Sequence, residues 1–185
     1  MSKKIAVCGP SKYQEISSET PIVRALGEGL AEVIGDGELA NGGVIGVPFD
    51  LCNATRAKNN YCLIKAYTPC INSDEWDDFV KKGLLPERTH FGDIAYFRGE
   101  GNIYERALGR IPFLLGGANA SLVYLNRHAG NTYVELFSSL GLKIPTFVYS
   151  TEKTIENAVR ELTSGRKEIY LFSDAGELVR SLEKV

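Results

Sequence analysis

Short apolar runs alternate along this chain with longer stretches whose apolar positions recur every three or four residues. Residues 5–8 (Ile-Ala-Val-Cys) form the first run and read as a strand ending in Gly9-Pro10-Ser11. In residues 21–34, Ile22, Ala25, Leu26, Gly29, Leu30 and Val33 fall on one side at helical spacing. Thr20 suits the N-cap, Pro21 the first helical position, and Gly35 follows the end. Leu39-Ala40 reads as a second strand. Pro48 opens a helix running to Lys58, and residues 61–66 and 93–97 read as the third and fourth strands.

Between those two strands lies a long polar connection, Tyr67 to Gly92, holding Trp76 and a short helix around residues 75–81. Connections longer than about 12–15 residues are often functional lids. Residues 101–115 read as one helix that Pro112 kinks or shortens. A strongly apolar fifth strand covers residues 121–125. A helix over 132–140 is closed by Gly141. Strands at 146–149 and 168–172 and helices at 154–162 and 174–182 complete the chain, with Asp174 and Glu177 placed as a capping box. The alternation argues for one α/β domain over residues 1–185. Its architecture is Rossmann-like: a doubly wound, mostly parallel sheet of about six to seven strands with helices on both faces.

In such sheets ligands sit at the carboxyl ends of the strands, near helix N-termini. Four segments fall there. Asn41-Gly42-Gly43-Val44-Ile45-Gly46-Val47-Pro48 holds Gly42, Gly43 and Gly46 between a strand and a helix. Glycine lets backbone N–H groups approach a phosphate closely, although a plain tight turn explains the same composition. Gly9-Pro10-Ser11 could set Gly9 and Ser11 against a phosphate or ribose, or be an ordinary strand-ending turn. It has neither GxGxxG nor GxxxxGK[ST] spacing. Arg127, His128, Gly130, Asn131 and Thr132 follow the fifth strand and lead to Glu135. With Thr132 as N-cap, Glu135 stands three residues on and completes a capping box. The functional alternative puts the Glu135 carboxylate at the mouth of the sheet, suited to a cationic, oxocarbenium-like transition state. Arg106, in Tyr104-Glu105-Arg106, is either a solvated surface arginine or a phosphate clamp.

Composition narrows the partners. The apolar fraction of 44%, the charged fraction of 24% and the net charge of −2 are those of a globular protein. They give no electrostatic case for nucleic acid or a membrane surface. The apolar run near the N-terminus is shorter than the roughly 7–15 residues of a signal-peptide core, so a cytoplasmic protein is expected. Cys8, Cys52, Cys62 and Cys70 form no C-x-x-C pair and read as reduced thiols, and His90 and His128 have no metal-ligand spacing. Neither a metal nor a cofactor is expected.

Taken in order, these segments resemble the LOG-like group of the wider SLOG superfamily, the group labelled as lysine decarboxylases. Residues 40–48 resemble its Thr-Gly-Gly-Gly-x-Gly-Val-Met segment, and Glu105-Arg106 its Glu-Arg at the start of a helix. Thr132-Tyr133-Val134-Glu135-Leu136, followed by Lys143-Ile144-Pro145, resembles the end of PGGxGTxxE and the Lys-Pro before the next strand. The resemblance implies a Rossmann-fold homodimer that cleaves a nucleoside 5′-monophosphate into free base and ribose 5-phosphate. It implies Arg106 and Glu135 as the catalytic pair, with Gly42, Gly43, Gly130, Asn131 and Thr132 cradling the phosphate. The sequence departs from the pattern where Arg127-His128-Ala129 stands for Pro-Gly-Gly, Asn131 for a glycine and Ala107 for a lysine. Two alternatives share the strand–turn–helix. One is a nucleoside 2-deoxyribosyltransferase-like enzyme. The other is a non-catalytic binder or sensor resembling molybdenum-cofactor carriers, which the lost glycines favour. Under each, the partner is a nucleotide or nucleotide-derived small molecule.

Overall fold

The computed structural model describes residues 3–11, 20–127 and 129–185. His128 therefore lies outside the described residues. Seven strands, β1 (Lys4–Cys8), β2 (Glu38–Asn41), β3 (Leu63–Thr68), β4 (Asp93–Tyr96), β5 (Ala120–Tyr124), β6 (Thr146–Tyr149) and β7 (Ile169–Phe172), form one sheet. Every pairing is parallel, and the order is β4-β3-β2-β1-β5-β6-β7. The chain winds outward from β1 to β4, then returns to lay β5 beside β1 and winds the other way. Reversal at β1/β5 opens a crevice outside the carboxyl ends of those two strands, where such sheets bind ligands.

The helices are α1 (Thr20–Ile34), α2 (Val47–Lys58), α3 (Ser73–Lys81), α4 (Ile103–Gly109), α5 (Ile111–Leu115), α6 (Gly130–Gly141), α7 (Lys153–Leu162) and α8 (Ala175–Leu182). Side chains on a strand alternate between faces. Ile5 and Val7 of β1 and Leu122 and Tyr124 of β5 join one core with α1, α2, α3 and α8. Ala6, Cys8, Val123 and Leu125 join the opposite core with α5, α6 and α7. The expected doubly wound α/β architecture is the observed one. Among the described residues, no helix is long and apolar enough to cross a membrane.

Four local expectations change. β3 starts two residues later than the apolar run suggests, because Tyr61 is 83% exposed in the preceding turn. The long polar connection is folded into the core: Trp76 of α3 is fully buried, its indole N–H donating to the Pro86 carbonyl at 3.0 Å. The helix expected over 101–115 is two helices. Pro112 lacks the N–H that would continue the ladder, and its ring clashes with the carbonyl four residues back. The chain therefore breaks at Arg110, which ends α4 and begins α5. At 174–177 the Asp174 side chain caps the Glu177 N–H, whereas the full reciprocal capping box is Asn102 with Glu105.

Candidate functional site

A cavity of about 590 Å³ opens at the β1/β5 crevice. Its polar side is Gly9, Pro10 and Ser11 after β1, Arg127 after β5, and the first turn of α6. Its apolar side is Pro69 and Cys70 after β3, Phe79 of α3, Leu84 and Leu85, and Ile103 of α4. The 67–92 connection thus supplies a wall of the cavity.

α6 begins at Gly130, two residues before the expected start, with Ala129 as N-cap and no side-chain cap. Thr132 and Glu135 therefore do not form a capping box. They lie one turn apart on the helix stripe that also buries Leu136, Ser139 and Leu140. That stripe faces the sheet, so Thr132 and Glu135 are carried to the cavity floor. Thr132 is fully buried, and its hydroxyl has no hydrogen-bond partner among the described residues. Gly130 and Asn131 line the same cavity in the first turn of α6, at a helix N-terminus that favours anions.

Glu135 is 7% exposed. Burial pushes its carboxyl up to about 7; the Arg110 guanidinium, the Cys8 thiol and the Gly9 N–H pull the other way. Its neighbour Cys8 is held well above the usual thiol range, first by burial and then by Glu135.

Arg106 does not line the cavity. Its guanidinium is paired with Glu75 of α3, which ties α4 to the connecting wall. The arginine beside Glu135 is Arg110, which helical spacing alone places inside a continuous helix over 101–115. A signal for it was present: a basic residue in an apolar stripe, two positions before Pro112.

The three loop glycines do not line the cavity either; they let other parts approach. A Cβ at Gly42 would overlap the Arg110 guanidinium. Gly43, at φ +69°, has its N–H held by the Asn41 side chain at 2.7 Å and lies against Trp76. Gly46, at φ +147°, is so close to the Pro10 carbonyl that a Cβ would overlap it. The glycine segment thus shapes the site from behind. Among the described residues, no group of three His, Cys, Asp or Glu side chains could hold a metal.

No family model matches the chain, and no curated protein matches it. Solved structures do. The molybdenum cofactor binding protein from the phototrophic bacterium Rippkaea orientalis superposes with a TM-score of 0.73 at 12% identity, covering 100% of this chain and 97% of that chain. The Moco carrier protein from Chlamydomonas reinhardtii gives a TM-score of 0.69 at 16% identity, covering 100% and 97%. This chain has the fold of the molybdenum cofactor carriers. DNA processing protein A from Helicobacter pylori, whose structure concerns single-stranded DNA binding, shares the fold too, with a TM-score of 0.67 at 12% identity over 99% of this chain and 81% of that one. One architecture thus serves different ligands, so function has to be argued from the site.

Proposed function

We propose that this chain binds a phosphorylated, nucleotide-derived small molecule in the β1/β5 cavity, with the anionic group at the N-terminus of α6. The observation that carries the reading is the Thr132 hydroxyl, fully buried on the cavity floor without a partner among the described residues. Leaving such a group unsatisfied costs about 1–3 kcal/mol. A phosphate oxygen would accept from it and from the first N–H groups of α6. Gly9, Ser11 and Arg127 line the same crevice and suit the rest of a polar ligand. The cavity volume of about 590 Å³ falls in the range of small-molecule sites, roughly 300–1,000 Å³. Likeness to two molybdenum cofactor proteins supports a ligand that is carried rather than consumed. We place the chain in the SLOG superfamily; the narrower LOG-like assignment rests on the motif resemblance.

The test is thermal stabilisation of wild type and Thr132→Val by AMP, GMP, CMP, UMP and isolated molybdenum cofactor. One of these ligands raises the wild-type Tm by several degrees, and the variant loses the shift. A wild type that no ligand stabilises, or a variant stabilised equally, defeats the reading.

One observation favours a second reading, cleavage of an N-glycosidic bond. Glu135 reaches the cavity with its carboxyl tuned to about 7, a value suited to proton transfer near neutrality. Base release from a nucleoside monophosphate by wild type, abolished in Glu135→Gln, would establish it.

A further inference from the structure

Arg110 is held where a ligand needs a cation. The break before Pro112 places it at the corner of α4 and α5, 7% exposed and lining the cavity. Its Nη1 donates to the Ala107 carbonyl at 2.9 Å, while its Nε–H is buried without a partner. No carboxylate among the described residues closes an ion pair with it. Glu135 is the acidic group beside it, and with burial raising that carboxyl to about 7 it is only about half ionised at neutral pH. The other titratable neighbour, Cys8, is a neutral thiol. Buried charge is normally paired or given to a ligand, because desolvation without compensation is expensive. Arg106 also has a buried Nε without a partner, but Glu75 neutralises it and it stands outside the cavity lining.

We propose that Arg110 is the specificity-determining cation of this site, its Nε–H donating to an oxyanion of the ligand that also meets the Thr132 hydroxyl. The assignment rests on the phosphate-binding reading above. It gives Gly42 a defined task, since only a residue without Cβ leaves room for the guanidinium. The ligand class it selects is a phosphate monoester or similar oxyanion, in preference to the same molecule without the charged group.

The experiment is calorimetric titration with AMP, adenosine and inorganic phosphate. Wild type is compared with Arg110→Met, Arg110→Lys, Gly42→Ala and Arg106→Met. Arg110→Met weakens AMP and phosphate by about tenfold or more and changes adenosine by less than about twofold. Arg110→Lys recovers part of the loss, because the charge returns without the fork. Gly42→Ala, which displaces only the end of a flexible side chain, weakens AMP in the same direction. Arg106→Met stays within about twofold for all three probes. A folded Arg110→Met that binds AMP as wild type does overturns the assignment; if that variant does not fold, Gly42→Ala with undiminished AMP affinity decides it the same way. Arg110-dependent phosphate binding without nucleotide binding sinks the nucleotide reading and keeps Arg110. Wild type that binds neither AMP nor phosphate removes both.

Discussion

Glu135 of α6 and Arg110 at the α4–α5 corner face one another on the cavity floor, both more than nine-tenths buried, without closing into an ion pair. Each leaves its mark on the other. Burial lowers the Arg110 pKa and Glu135 raises it again; burial raises the Glu135 pKa and Arg110 opposes the rise. Two groups that could neutralise one another are instead held apart and available to a third.

The first prediction concerns pH and stability. The Glu135 carboxyl moves from 4.5 to about 7 on folding, so the folded state favours its protonated form. The associated stability is present in full below pH 4.5 and is lost as pH rises through 7, a loss of about 3 kcal/mol. Glu135→Gln removes this dependence. Urea unfolding of both proteins between pH 4.5 and 8 should give curves that diverge with rising pH, the variant becoming the more stable. Parallel curves would contradict the shift.

Trp76 anchors the apolar wall. It meets Phe91 edge-on at 5.5 Å and bonds the Pro86 carbonyl. Trp76→Ala should cost roughly 3–5 kcal/mol, the usual range for a fully buried aromatic. Trp76→Phe should cost less, losing the hydrogen bond and part of the volume. Chemical denaturation measures both, and a loss under about 1 kcal/mol for the alanine variant would contradict the packing described.

Gly46 cannot take a side chain without moving the β1 loop. At φ +147° it is in a region that L residues rarely enter, and the Pro10 carbonyl occupies the Cβ position. Gly46→Ala is expected to lower stability by at least about 1–3 kcal/mol. It should also weaken any ligand that touches Ser11. Crystallography of the variant would show the 9–11 turn displaced.

Asn102 caps α4 with its side chain, and its backbone N–H donates in return to Glu105 Oε2 at 2.7 Å. Asn102→Ala should cost about 1 kcal/mol. Measured by thermal unfolding, this is a smaller loss than that of Trp76→Ala.

The sheet was legible because its strands are apolar runs separated by helical periodicity, and parallel strands buried on both faces read that way. Local chemistry was less so, for reasons that differ by residue. Gly130 and Asn131 are weak helix formers, so the periodic signal starts at Thr132, and Thr-x-x-Glu then reads as a capping box. Only the packing of α6 on the sheet reveals the earlier start and turns Glu135 inward. Trp76 sits among Asp and Glu residues and looks solvated; α3 is amphipathic with one buried residue. Arg106 and Arg110 lie one turn apart, and nothing local separates the arginine that faces the cavity from the one tied to Glu75. The separation comes from tertiary structure, through Glu75 on one side and Gly42 on the other.

The break between α4 and α5 fixes more than the path of the chain. Each residue of an α-helix turns the chain by roughly 100°, so one insertion between Glu105 and Arg110 would swing the guanidinium out of register. Arg110 is therefore placed by the corner itself: it is the C-cap of α4 and the N-cap of α5, so its side chain answers to the orientation of both helices at once.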